Sequence, residues 1–184
     1  VRDFTTLPPD LPAPQDDGAA AHLEGMALPH VRLRSTRGRL VDVASAAPRF
    51  VLFAYPRTGV PGEPAPPGWD EIPGARGCTP QSCAYRDLHA EFRALGHEVF
   101  GLSTNSPAHQ AEFVSRMAIP YEMLSDEGFA LTDAMRLPTF EYRGARLLKR
   151  LALVVEQGRV RKAFYPVFPP DRNAATVLAW LKGA

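Results

Sequence analysis

Phe50-Val51-Leu52-Phe53-Ala54-Tyr55 is an unbroken run of apolar side chains. A strand with one wet face alternates apolar and polar residues. A run without alternation predicts a strand buried on both faces, at the centre of a sheet covered above and below. The covering layers are legible downstream. A helix is expected from about Pro80 to Gly96, and His97 to Ser103 reads as a strand. Ser106-Pro107 caps a helix reaching about Met117, and Tyr121 to Leu124 is a short strand. Asp126 caps a helix through about Met135. Leu151 to Val155 and Val160 to Phe164 form a hairpin across Glu156-Gln157-Gly158, and a last helix runs from about Asp171 to Leu181. Upstream, Val31 to Leu33 and Leu40 to Val43 flank the turn signal Thr36-Arg37-Gly38. Strand–helix alternation closed by a hairpin and a helix predicts an α/β fold with a central mixed sheet flanked by helices.

The ends of this pattern divide the chain. Residues 1–25 read as an arm, because Pro8, Pro9, Pro12 and Pro14 forbid regular structure there, although Ala19 to Leu23 can make one helical turn. Residues 26–184 form the expected single domain, and no internal repeat is present. Residues 56–77 carry six prolines and neither helical nor strand period. A loop of that length in a compact domain usually serves function, and this one leads directly into Cys78.

Bulk properties remove several classes of function. A net charge of +1 gives no electrostatic case for nucleic acid or an anionic membrane. No apolar run approaches the roughly 20 residues needed to cross a bilayer. Residues 1–18 lack the apolar core of a secretory signal, although the first residue, Val1, leaves room for earlier ones. Two cysteines in 184 residues do not make a disulfide-stapled fold, so a reducing cytoplasm is expected. No apolar stripe is left over for an interface, which predicts a monomer.

Both cysteines lie in Gly77-Cys78-Thr79-Pro80-Gln81-Ser82-Cys83. Thr79 is the expected N-cap and Pro80 the first helical residue, while Leu88, Phe92 and Leu95 keep helical spacing. A cysteine at a helix start meets unpaired N–H groups and the positive end of the dipole, and both favour thiolate. Residues five apart in an unbroken helix have Cα atoms roughly 8–9 Å apart, beyond the roughly 7 Å limit for a disulfide. Cys78 and Cys83 can therefore pair only if the first turn unwinds, as a redox cycle would require and a structural staple would not. A buried pair of small hydrophobes and a zinc site with His89 are weaker readings, the second because no other cysteine pair is present. The thioredoxin C-x-x-C spacing is absent.

The ordered set Tyr55-Pro56, Gly77-Cys78-Thr79, Cys83, Arg86-Asp87, Gly101-Leu102-Ser103-Thr104, Met123-Leu124-Ser125-Asp126-Glu127 and Lys149-Arg150-Leu151-Ala152-Leu153 resembles the peroxiredoxins, specifically the peroxiredoxin Q (bacterioferritin-comigratory) type. The likeness spans roughly residues 28–182. It implies a thioredoxin-like fold and the reduction of hydrogen peroxide and organic hydroperoxides. Cys78 matches the peroxidatic cysteine, Cys83 the resolving cysteine of one branch, and Arg150 the active-site arginine before the penultimate strand. One departure stands out. The usual Pro-x-x-x-Thr-x-x-Cys motif is broken, with Ala75 at the threonine position and Glu71 at the proline position. Thr58, two residues after Pro56, is the candidate to supply the missing hydroxyl, and Thr79, read first as the helix N-cap, is another.

The chemistry implied is attack by the Cys78 thiolate on peroxide, with Arg150 supporting the charge on sulfur and on the leaving oxygen. The resulting sulfenic acid condenses with Cys83, and thioredoxin or a similar dithiol reduces the disulfide. No metal, flavin or haem is called for. A peroxide sensor or thiol relay would use the same residues, and a non-catalytic thioredoxin-fold binding module would not need them. Three further expectations follow from the residues alone. Pro138 is an ordinary trans proline, His89 is solvated, and Trp69 anchors the long loop or walls the site.

Overall fold

A computed structural model describes residues 5–60 and 62–184. Nine strands and five α-helices follow one another along it: β1 Arg32–Ser35, β2 Leu40–Asp42, β3 Arg49–Ala54, α1 Cys78–Asp87, α2 His89–Ala94, β4 Glu98–Ser103, α3 Pro107–Arg116, β5 Glu122–Ser125, α4 Ala130–Met135, β6 Thr139–Tyr142, β7 Ala145–Leu148, β8 Leu151–Glu156, β9 Arg159–Phe164 and α5 Asn173–Gly183. Seven strands form one sheet in the order β2-β1-β5-β4-β3-β8-β9, with β6 and β7 as a separate hairpin. β3 runs parallel to β4 and antiparallel to β8, and β4 runs parallel to β5. The sheet is mixed, as the sequence pattern requires.

β3 lies in the interior of this order, and its run divides cleanly by parity. Phe50, Leu52 and Ala54 enter one core with Leu23, Leu102, Leu131 and Leu153. Val51, Phe53 and Tyr55 enter the other with Tyr85, Phe92, Phe113 and Val177. Thus α1, α2, α3 and α5 cover one face, while α4 and the arm cover the other. The arm contributes real core. Leu23 is fully buried, and Gly25 N–H donates to the Val160 carbonyl. Asp17 holds Lys149 at 2.6 Å and accepts from the Tyr165 hydroxyl at 2.7 Å. These partners hold the Asp17 carboxyl well below the usual carboxylate range.

Two expectations are corrected and one element is added. The helix expected from Pro80 to Gly96 is two helices broken at Leu88. The break allows Phe92 of α2 to pack on Tyr85 of α1, with ring centroids 5.5 Å apart. The helix capped by Asp126 begins later, at Ala130, because the carboxylate reaches past a turn to accept from the Leu131 and Thr132 N–H groups. Residues 139–148, to which the sequence pattern assigned no element, form the β6–β7 hairpin. Its turn residues Arg143 and Gly144 both have positive φ, 50° and 77°, as a two-residue hairpin turn demands.

Candidate active site

Gly77 starts α1 in place of the expected Thr79. Its φ of 107° belongs to the region that glycine alone occupies freely. A side chain there would also run into Pro170 and come within 2.9 Å of Leu7. Thr79 and Pro80 therefore fall inside the first turn, where Pro80 loses nothing by lacking an N–H. Cys78 becomes the first helical residue and is 4% exposed. Gly77→Ala should destabilise the fold by at least about 1–2 kcal/mol for the left-handed backbone alone. A urea titration monitored by circular dichroism reads this, and an unchanged midpoint would show that the helix start is not held where it is described.

Arg150 lies immediately before β8 and is 3% exposed. Its Nη2 stands 3.4 Å from Cys78 Sγ. The same nitrogen donates to the Ala75 and Arg76 carbonyls at 3.1 and 3.2 Å, and Nε donates to the Gly74 carbonyl at 3.3 Å. Nη1 donates to the Gln81 side-chain oxygen. Gln81 in turn donates to Asn173 Oδ1 at 2.9 Å, which also accepts from the Tyr85 hydroxyl at 2.8 Å. One planar fork thus clamps the turn before the cysteine, the second turn of its helix and the cysteine sulfur itself. A guanidinium suits this place because it is always charged and presents five donors in fixed directions.

The sulfur opens onto a small cavity of about 50 Å³. Arg57, Thr58, Trp69, Arg76 and Thr79 line it with Cys78. Trp69 fills both expected roles. It is 5% exposed on the cavity wall and also packs edge-on to Tyr142, with centroids 5.2 Å apart. The Tyr142 hydroxyl donates to the Pro67 carbonyl at 2.7 Å, so the β6–β7 hairpin props the proline-rich loop. Thr58 is 1% exposed. Its N–H donates to Asn105 Oδ1 at 3.2 Å, and its hydroxyl lies 2.9 Å from His109 Nε2.

Cys83 lies in the same uninterrupted helix as Cys78, half-buried, and both are free thiols. Burial pushes the Cys83 thiol up, against the opposing pull of Arg86. His89 is half-buried rather than solvated, and burial lowers its pKa. Pro138 is absent from the cis peptides, which precede Pro166 and Pro169. The sequence reading missed Gln81, Asn173, Asn105 and His109. One rule points to the last two. β3 and β4 are parallel neighbours, so the loops after their carboxyl ends must meet. Residue types in those loops carry no further signal.

The Redoxin family model matches residues 23–178. The chloroplastic peroxiredoxin Q of Arabidopsis thaliana is 30% identical over 162 residues, covering 88% of this chain and 68% of that protein. The chloroplastic peroxiredoxin Q of Oryza sativa subsp. japonica is 29% identical over 160 residues, covering 86% and 66%. The chain belongs to the peroxiredoxins. Among solved structures, peroxidoxin BcpB of Mycobacterium tuberculosis superposes with a TM-score of 0.71 at 24% identity, covering 88% of this chain and 98% of its own. Peroxiredoxin Q of Xanthomonas campestris gives 0.69 at 23%, covering 88% and 96%. At such identities the likeness is one of fold, and it establishes the thioredoxin-like α/β architecture. The plant relatives place this peroxiredoxin in the Q type, a thiol-dependent peroxidase.

Proposed function

We propose that this peroxiredoxin reduces hydrogen peroxide and organic hydroperoxides through Cys78, with Cys83 as the resolving thiol. The observation that carries the reading is Arg150 Nη2 at 3.4 Å from a buried cysteine sulfur in the first turn of α1. The guanidinium and the helix start stabilise negative charge on that sulfur. The Cys78 thiolate attacks one peroxide oxygen, an S–O bond forms, and the O–O bond breaks. Its electron pair leaves with the second oxygen, which takes a proton and departs as water or alcohol. Arg150 and the Thr58 hydroxyl are the donors that meet this charge.

Resolution follows by displacement. The Cys83 sulfur attacks the Cys78 sulfenic acid, water leaves, and a disulfide forms. An intact α1 holds the two residues too far apart, so its first turn unwinds for this step. Unwinding also exposes the half-buried Cys83 thiol further, which lets it ionise. Thioredoxin or a similar dithiol then exchanges with the disulfide and restores both thiols. Two free cysteines suit a reducing cytoplasm. A monomer fits the surface, because among the described residues Leu40 and Phe168 are the exposed large hydrophobics.

Cys83→Ser is the informative test. The variant should consume one equivalent of peroxide, lose turnover driven by thioredoxin, and pass readily to sulfinic acid by mass spectrometry. Undiminished cycling would mean that another thiol resolves Cys78. Many equivalents consumed per wild-type molecule mark an enzyme, whereas a single equivalent would mark a sensor.

A further inference from the structure

We propose that His109 is a positioning residue for the peroxide step, setting the direction of the Thr58 hydroxyl proton. The inference rests on the peroxidase reading above and adds to it a residue that does not line the cavity. Thr58 and Thr79 are the two hydroxyl-bearing residues lining the Cys78 cavity, and Thr58, held from outside α1 by a contact to α3, is the one we assign to replace the hydroxyl missing at Ala75. A hydroxyl has one proton to give and two lone pairs. Thr58 Oγ1 stands 2.9 Å from His109 Nε2, and the proton between them can belong to either atom. If Thr58 donates to the ring, it offers the cavity only lone pairs. If Nε2–H donates to Thr58, the threonine proton is free to point at the peroxide oxygen that becomes negative. The second arrangement is the one the chemistry needs.

The mounting of both residues supports a built pair rather than a chance contact. The Thr58 N–H is fixed by Asn105 Oδ1 at 3.2 Å. The Ser125 hydroxyl donates to the Asn105 carbonyl at 2.7 Å, and Gln110 Nε2 donates to the Ser103 hydroxyl at 2.9 Å. His109 sits in the first turn of α3, where its N–H donates to the Ser106 capping hydroxyl at 3.3 Å. Thr58 is 1% exposed. Its hydroxyl is therefore out of bulk water and takes its direction from the imidazole.

The test uses Thr58→Val, His109→Phe, His109→Gln and the Thr58→Val/His109→Phe double variant, with His109→Leu should the phenylalanine fail to fold. Two rates are measured on each protein. Oxidation of Cys78 by hydrogen peroxide is followed by stopped-flow tryptophan fluorescence, and alkylation of Cys78 by iodoacetamide by mass spectrometry. Alkylation needs the thiolate and no donor for a leaving oxygen, so it reports general damage to the site. Thr58→Val and His109→Phe should each slow peroxide oxidation about tenfold, the effect of one well-placed hydrogen bond. The double variant should be no slower than either, because both changes remove one device. His109→Gln, which keeps a side-chain N–H donor, should recover most of the rate, and alkylation should be unchanged throughout. A wild-type oxidation rate in His109→Phe, additive losses in the double variant, or parallel losses in both reactions would each overturn the assignment. Failure of peroxide to oxidise wild-type Cys78 would instead overturn the peroxidase reading itself, and is seen before any variant is made.

Discussion

Cys78→Ser is expected to leave no peroxidase turnover above background. A serine hydroxyl at the same place is a far weaker nucleophile than a thiolate, even with Arg150 beside it. Loss of the sole nucleophile from such a site costs on the order of 10⁴-fold or more. Cys83 cannot take over. Burial raises its pKa, and the guanidinium of Arg150 is directed at Cys78. Peroxide consumption coupled to thioredoxin reads the effect, and mass spectrometry after peroxide exposure should find no sulfenic acid at Cys83. Residual turnover above about one per cent of wild type, set against the expected 10⁴-fold loss, would remove Cys78 as the nucleophile.

Arg150→Ala comes second, and the structure alters what the sequence alone suggests. Sequence reasoning expects a rate effect with little consequence for folding. The rate effect stands. Losing one charged donor at a developing oxyanion costs about 3–4 kcal/mol, or roughly 10²–10³ in rate. Folding is not spared, however. Arg150 also satisfies the Gly74, Ala75 and Arg76 carbonyls and Gln81 Oε1 in the interior. A buried acceptor left unpaired costs about 1–3 kcal/mol. A lowered urea midpoint should therefore accompany the slow reaction. Arg150→Lys separates the contributions, because an ammonium keeps the charge near the sulfur but cannot form the planar fork. Peroxide oxidation should fall less than in the alanine variant, while the loss of stability remains. Wild-type rates and midpoint in Arg150→Ala would return this residue to the role of a charge flanking a strand.

Sequence legibility followed the range of the forces involved. The buried run of β3 and the alternation after it are local patterns, and they located the sheet, the cysteine helix and the strand behind Arg150. What they missed was decided at a distance. The start of α1 fell to Gly77 because Leu7 and Pro170, from opposite ends of the chain, leave no room there for a side chain. Leu88, Phe92 and Leu95 keep a helical spacing, yet the helix breaks at Leu88. The hairpin at 139–148 turns on Arg143, which lacks the usual Asn or Asp signal. Thr58 and His109 are 51 residues apart and meet only because two parallel strands end side by side.

If the first turn of α1 unwinds as proposed for resolution, the placement of Thr58 has a further consequence. A hydroxyl three residues before the cysteine would travel with it. Thr58 instead is held outside α1, its N–H on Asn105 just before α3 and its hydroxyl beside His109 of α3. Arg150 lies outside α1 too, at the root of β8. Cys78 alone rides on the travelling piece. On the proposed mechanism, departing to meet Cys83 would leave behind Arg150 and Thr58, the two donors assigned to activating peroxide. A second oxidant molecule could then no longer be activated against the sulfenic acid. Damage by excess peroxide would then be confined to the interval before departure, and the speed of unwinding would set how much oxidant the protein survives.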